Sequence, residues 1–190
     1  MRELSYYVAV TLDGFIAGPN GEYDAFPVAG AHMDAINERY ADTIPTDAAA
    51  ALGLAQDRGT FDTVLMGWNT YAVGLPSGVD SPYRHLRQFV FSREHEATGE
   101  GVETVRHDPV GLVRELKTQD GSGIWLCGGG SLAAQLADEI DRLVLKRYPL
   151  LFGGGIPLFG PRPYAPVGFT EVSTRVFGTG VVFSEYVRAR

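Results

Sequence analysis

The sequence predicts one α/β domain built on a mixed, mainly parallel sheet, with helices on both faces and an antiparallel hairpin at the C-terminal end. Three observations lead there. Short apolar, β-prone runs alternate with helical periodicities as far as Ile140; two of those runs end in glycine just before a helical stretch, at Gly67 and at Gly128-Gly129-Gly130; and the remainder is rich in β-branched and aromatic residues around Gly178-Thr179-Gly180. Alternation implies right-handed crossovers and a parallel sheet, and the final pattern implies a hairpin on its edge. No Pro- or Ser-rich linker divides the 190 residues, so a single domain over 1–190 with one core is expected.

Residues 4–10, Leu-Ser-Tyr-Tyr-Val-Ala-Val, form an apolar run ahead of Asp13-Gly14 and read as a buried strand leaving into a loop. A Gly- and Pro-rich loop follows over 18–30. Met33, Ile36, Asn37, Tyr40 and Ile44 recur at three-, four- and seven-residue spacings, which predicts a helix ending near Pro45. A second short helix is expected over 47–55. Phe61–Met66 reads as a strand stopping at Gly67, with a helix opening at Asn69-Thr70-Tyr71. Strands follow over 87–91 and 103–107, and Asp108-Pro109 supplies a cap and a first-turn proline for a helix over 110–118. Ile124–Cys127 reads as a buried strand, after which Leu132, Leu136 and Ile140 mark one face of a helix. Strands over 142–150, 168–177 and 181–188 complete the pattern, the last two joined across Gly178-Thr179-Gly180.

Composition narrows the function. A net charge of −7 with scattered cations opposes binding to a polyanion, so no nucleic acid is expected. The lone cysteine, Cys127, excludes an internal disulfide and a multi-Cys zinc site and fits a reducing compartment. The N-terminus lacks a signal-like apolar region, and no apolar run approaches the roughly 20 residues that span a bilayer. A cytoplasmic protein without membrane attachment is the expectation. His32, His85, His95 and His107 show no metal-ligand spacing, so they are read as solvated or locally bonded and no metal is expected.

Chemistry concentrates where strands end. Gly128-Gly129-Gly130-Ser131 lies between a buried strand and a helix, where bare backbone lets N–H groups approach a phosphate; the same triplet also suits a plain tight turn. It is neither the G-x-G-x-x-G fingerprint nor a Lys-containing P-loop. Gly67-Trp68-Asn69-Thr70 offers a second such junction, and Ser92-Arg93 a third strand end with a hydroxyl and a guanidinium. Ligands of open α/β sheets gather at the carboxyl ends of strands, so the three form a coherent set; the plain alternative is that Asn69 and Thr70 cap a helix and Arg93 is a solvated charge. Asp13 either touches substrate or only shapes the Asp-Gly turn. Cys127 reads as a small hydrophobe at a buried strand end rather than a nucleophile.

Five blocks then occur in order along nearly the whole chain: Ala9-Val-Thr-Leu-Asp13-Gly14-Phe15-Ile16-Ala17, Val64-Leu-Met-Gly67-Trp68-Asn69-Thr70-Tyr71, Phe91-Ser92-Arg93, Leu126-Cys-Gly-Gly-Gly130-Ser131-Leu132 and Pro149-Leu-Leu-Phe-Gly-Gly-Gly155-Ile-Pro-Leu-Phe159. Together they resemble the dihydrofolate reductase-like reductases, specifically the group of the C-terminal reductase domain of the bifunctional riboflavin-pathway deaminase-reductase (RibD C-terminal domain). The resemblance implies a dihydrofolate reductase-like fold, a homodimer, and NADPH as cofactor. It sets backbone near Ala9, Ile16 and Ala17 against the nicotinamide, Gly67, Trp68, Asn69 and Thr70 with Gly128, Gly129, Gly130, Ser131 and Leu132 at the pyrophosphate, and Ser92 and Arg93 at the adenosine 2′-phosphate. A guanidinium beside a hydroxyl suits a phosphate dianion, which favours NADP over NAD.

Two departures bear on that resemblance. Trp68 stands where the family usually has arginine, which leaves NADH open as a cofactor; its indole could stack on the adenine or pack in the core. Ala29 stands two residues beyond Pro27, where dihydrofolate reductase proper has a pterin-binding carboxylate, and neither Asp24 nor Asp34 matches that place. The expected activity is therefore an NADPH-dependent reduction of a small heterocycle resembling 5-amino-6-(5-phosphoribosylamino)uracil, without the zinc-bearing deaminase half. The rivals are a true dihydrofolate reductase and a noncatalytic nucleotide-binding scaffold.

Overall fold

The computed structural model describes residues 1–189. Ten strands and five α-helices follow one another as β1 (Leu4–Val10), β2 (Phe15–Ala17), α1 (Ala31–Arg39), α2 (Thr46–Ala51), β3 (Phe61–Gly67), α3 (Trp68–Ala72), β4 (Arg87–Phe91), β5 (Val102–Val105), α4 (Pro109–Thr118), β6 (Gly123–Gly128), α5 (Gly130–Gln135), β7 (Arg142–Arg147), β8 (Ile156–Pro157), β9 (Phe169–Val176) and β10 (Val182–Arg188). Eight strands form one sheet in the order β5-β4-β3-β6-β1-β7-β10-β9. The pairs from β5 to β7 are parallel, and β10 runs antiparallel to both β7 and β9. That is the mixed sheet with a closing hairpin that the alternation predicts.

Strand periodicity sorts the core into two layers. Tyr7, Val64, Met66, Val90, Trp125 and Val144 join one buried cluster with Ile36 of α1 and Tyr71 of α3. Their neighbours Leu4, Tyr6, Leu65, Phe89, Ile124 and Leu126 join the other, against Val113 and Leu116 of α4 and Leu132 and Leu136 at α5. Helices thus cover both faces, and the central strands are apolar on both sides, as a parallel sheet requires.

Several boundaries differ from the sequence-based expectation. The first helix stops at Arg39 rather than near Pro45, and the chain turns through a single 3-10 turn over Ala41–Thr43. The cause is tertiary: buried Asp42 accepts hydrogen bonds from the amides of Arg58, Thr60 and Phe61, which draws the backbone toward β3. The second helix spans Thr46–Ala51 rather than 47–55 and ends before Gly53, whose φ of +66° stops it. Strand β5 begins and ends earlier than 103–107, because Asp108 accepts from the Gly111 amide at 2.8 Å to start α4. Helix α5 ends at Gln135, although Leu136 and Ile140 keep their buried positions through the turn that follows. The strand expected over 142–150 ends at Arg147.

The short antiparallel pair β2–β8 was not foreseen. It joins Phe15 and Ala17 to Pro157 and Ile156 and makes a second, two-stranded sheet at the carboxyl ends of the main one. No described helix is long and apolar enough to cross a membrane.

Candidate functional site

Parallel strands all point their carboxyl ends the same way, so β1, β3, β4 and β6 bring Val10, Gly67, Phe91 and Gly128 to one edge of the sheet. There the two Gly junctions meet. A Cβ built on Gly67 would lie 3.5 Å from the Gly129 nitrogen, and Cβ atoms on Gly128 and Gly129 would lie 3.4 and 3.7 Å from the Thr70 hydroxyl oxygen. Gly67, Thr70, Gly128 and Gly129 therefore form one backbone-lined cradle, and any side chain at its glycines would occupy it. Helices α3 and α5 have only five and six residues. What such short helices can offer an anion is first-turn N–H groups rather than a long macrodipole.

The third strand end completes this edge. Ser92 is buried, donates its amide to the Val105 carbonyl at 3.1 Å and accepts from the His95 amide at 2.8 Å. Arg93 is exposed, and Arg106 donates to its carbonyl oxygen at 3.3 Å. Two guanidiniums thus stand at the ends of β4 and β5. The Trp68 indole stacks on the His95 imidazole at 4.5 Å between centroids with 22° between planes, and its ring lies 5.5 Å from that of Tyr71, tilted by 52°. The indole packs on the core on one side and carries His95 on the other. Asn69 and Ser131 are exposed and Leu132 buried in the α5 face cluster, so of these three Leu132 offers only backbone to the cradle.

Ala9, Ile16 and Ala17 are half-buried at the ends of β1 and in β2. Their placement is fixed by the β2–β8 pair and by Asp13. The Asp13 carboxylate accepts from the Thr11 hydroxyl at 2.5 Å and from the amides of Phe152 and Gly153, the latter at 2.7 Å. The Thr11 hydroxyl above all, and then the two amides, hold its pKa below the ordinary aspartate range. Asp13 pins the loop after Leu150 to the β1–β2 turn, which is the turn-shaping alternative of the sequence reading.

The histidines are held locally. Buried His32 pairs Nε2 with the Pro27 carbonyl at 3.0 Å, and His85 bonds the Thr46 hydroxyl and the Asp42 carbonyl; burial lowers its pKa. Asp24, Ala29 and Asp34 are all exposed. A concavity of about 440 Å³ lies at the opposite end of the sheet, lined by Arg2, Arg39 and Arg142 among others. Those cations are already paired, Arg2 with Asp62 and Arg39 and Arg142 with Glu185.

Sequence reasoning missed Lys146 and Tyr83. Lys146 lies on β7 beside Ala9 of β1, half-buried, with its ammonium 4.1 Å from the centroid of the Tyr7 ring. Tyr83 packs on Trp125 at 4.9 Å, close to Cys127. Burial pushes the Cys127 thiol up to about 12, which supports its reading as an inert hydrophobe.

Solved structures share this architecture. A protein of Shewanella sp. PV-4 provisionally assigned to riboflavin biosynthesis superimposes with a TM-score of 0.71 at 25% identity, with 100% of both chains covered. The Thermotoga maritima diaminohydroxyphosphoribosylaminopyrimidine deaminase/5-amino-6-(5-phosphoribosylamino)uracil reductase gives 0.66 at 18% identity, over 99% of this chain and 57% of its own. Dihydrofolate reductase of Enterococcus faecalis, complexed with NADP(H), gives 0.66 at 15% identity over 99% and 97%. The fold is that of dihydrofolate reductase. The family model of the RibD C-terminal domain matches residues 2–183, and the chain belongs to that family.

Proposed function

We propose that this protein is an NADPH-dependent reductase of a small heterocyclic substrate, related in chemistry to the uracil reductase named for the Thermotoga relative. The observation that carries the reading is the cradle in which Gly67, Gly128 and Gly129 leave bare backbone around the Thr70 hydroxyl, with Ser92 and Arg93 at the next strand end. A pyrophosphate fits such a cradle because its oxygens need close N–H donors and no intervening Cβ. Arg93 supplies positive charge for a 2′-phosphate, while Arg106, paired with Glu96, holds the Arg93 carbonyl. When bound, the dinucleotide supplies the hydride. The chain's own part is to hold the nicotinamide ring against Ala9, Ile16 and Ala17 and to keep water from the reacting face.

Dihydrofolate as substrate is disfavoured by exposed Ala29, Asp24 and Asp34, none of which offers a buried carboxylate to a pterin. A noncatalytic nucleotide-binding scaffold would share the cradle, so oxidation of bound NADPH by a pyrimidine substrate is what separates it from a reductase. Calorimetric titration with NADPH and NADH is the test. We expect micromolar NADPH binding, about tenfold or more tighter than NADH, with Arg93→Ala removing most of that preference and Gly129→Val weakening both cofactors about a hundredfold. Absence of binding by either cofactor to the wild-type protein would overturn the reading.

A homodimer through β9 is part of the proposal. This strand is the sheet's edge, eight residues long, exposed along almost its whole length and carrying Val172 and Val176 at 51% and 71% exposure. A long edge with unpaired backbone and exposed β-branched residues is a surface that proteins cover. Native mass measurement at micromolar concentration should give a dimer that Val172→Lys dissociates; a wild-type monomer would refute it.

A further inference from the structure

We propose that Lys146 is the recognition cation of the substrate pocket and that the ligand it receives is a small planar heterocycle carrying one negative charge. The proposal deepens the reductase reading and rests on it for the location of the reacting ring.

The chain has sixteen cationic side chains, of which only Lys117 and Lys146 are lysine. Lys117 has an evident structural role: it pairs with Asp141 at 2.6 Å and donates to the Glu139 carbonyl at 2.6 Å. Lys146 has none of that kind. Among the described residues, no carboxylate pairs with it, and the ammonium's neighbour is the face of the Tyr7 ring. The carboxylate on the same face of the sheet, Glu185, is engaged by Tyr40, Arg39 and Arg142 toward the strands' other end. A desolvated ammonium whose main compensation is a cation–π contact remains short of partners, since that contact recovers only part of what hydration gave.

Its place in the sheet indicates what completes it. Lys146 is level with Ala9 on β1 and with Phe183 on β10, and strand periodicity puts it on the face of Tyr7, Ala9, Cys127 and Val144. Tyr83 packs beside Cys127, which neighbours Lys146, and Met33, Leu150 and Phe152 belong, half-buried, to the same core layer. The cation therefore stands beside Ala9, one of the residues proposed to back the nicotinamide, on an apolar face with Tyr7 and Tyr83 as aromatic neighbours. Such a setting suits a flat ring, and a single cation partly stripped of water suits a single negative charge, because low local polarity strengthens that pair.

The phenols and the thiol nearest Lys146 stay neutral near pH 8, Tyr148 two residues on being pushed up by burial to about 12, and Glu185 on the same sheet face is taken up by Arg39, Arg142 and Tyr40. Burial pushes Tyr7 on β1 and Tyr83 before β4 far above the ordinary phenol range, and Cys127 on β6 to about 12, while β10 presents Phe183. Burial lowers Lys146 itself to about 8, with Cys127 acting weakly the other way. Below that value the ammonium is charged and, among the described residues, unpaired, and an incoming anion is the partner that would hold the charge to higher pH.

With two lysines in the chain, carbon-13 labelling at lysine Cε resolves the question directly, Lys117→Arg assigning the signals. The probe is barbiturate, a planar pyrimidine oxyanion, with neutral uracil as control. We expect barbiturate to shift the Lys146 resonance and raise its titration midpoint by a unit or more, leaving Lys117 unmoved, and uracil to do neither. In Lys146→Met, barbiturate affinity should fall at least tenfold while NADPH affinity stays within twofold of wild type. An unresponsive Lys146 signal, or undiminished barbiturate binding by the variant, overturns the proposal. A wild-type protein whose Lys146 responds to barbiturate but which binds no NADPH would sink the reductase reading and leave the anion site standing.

Discussion

Gly130→Ala should destabilise the protein by about 3 kcal/mol, seen as a lowered urea midpoint with unchanged slope, because the added methyl has nowhere to go. A Cβ there would run into the Pro157 carbonyl oxygen and approach the Gly160 nitrogen to 3.4 Å. Both are backbone, so a rotamer change offers no relief. The clash is also tied to its surroundings: Gly160 donates to the Gly130 carbonyl at 2.8 Å, and β8, which contains Pro157, is paired to β2. Moving Pro157 away therefore pulls on Phe15, its partner in β2, and through β2 on the backbone proposed to back the nicotinamide. Alanine's better helix propensity recovers only about 1 kcal/mol of the strain. Gly154→Ala is the matched control, since a Cβ at that position meets nothing within 4 Å, and its stability should stay within about 0.5 kcal/mol of wild type. A Gly130→Ala protein as stable as the control would mean that the β8 segment is not packed on α5 as described. The same variant should bind NADPH less tightly, because Gly130 follows directly on the two glycines of the cradle.

Which features the sequence disclosed follows from the range of the forces that set them. Alternation within a strand is local, so Phe61–Gly67, Arg87–Phe91 and the final hairpin were readable within a residue or two. The glycine junctions were readable because a bare backbone at a strand end is itself a local signal, and the structure brings Gly67 against Gly129. The end of α1 was not readable. The helical stripe continues through Tyr40 and Ile44, which do pack on the core, and the turn between them is imposed by Asp42 binding amides about eighteen residues away in sequence. The β2–β8 pair was hidden for a similar reason: three residues and two residues carry no periodicity, and they meet only because the loop bonded to Asp13 returns there. Lys146 was hidden by its neighbour. Beside Arg147 at a strand end it reads as one of two solvated charges, and only the pairing of β7 between β1 and β10 shows that the first points at the core face and the second is exposed.

Replacing that lysine should make the protein more stable, by about 1–2 kcal/mol for Lys146→Met at pH 7. The folded protein holds the ammonium with its pKa lowered from 10.5 to about 8 by burial, whereas the unfolded chain hydrates it fully. Between those two values the unfolded state carries a proton that the folded state lacks, so wild-type stability rises with pH across that window. Below about pH 8 the whole penalty is present. Methionine keeps much of the aliphatic length and removes the charge, giving up the cation–π contact with Tyr7, which is worth about 1 kcal/mol at such a site. The variant should therefore lead the wild type in urea unfolding at pH 7, and the gap should close as pH approaches 10.5. Lys117→Met provides the contrast, since that lysine is paired with Asp141, and losing it should lower stability at pH 7. If Lys146→Met proves less stable than wild type at pH 7, the ammonium is held by interactions stronger than an aromatic face, and its cost to the fold disappears. A gain in stability on removing a buried charge is the mark of a group kept for a ligand rather than for the fold, and the pH at which that gain vanishes reports the proton that Lys146 exchanges.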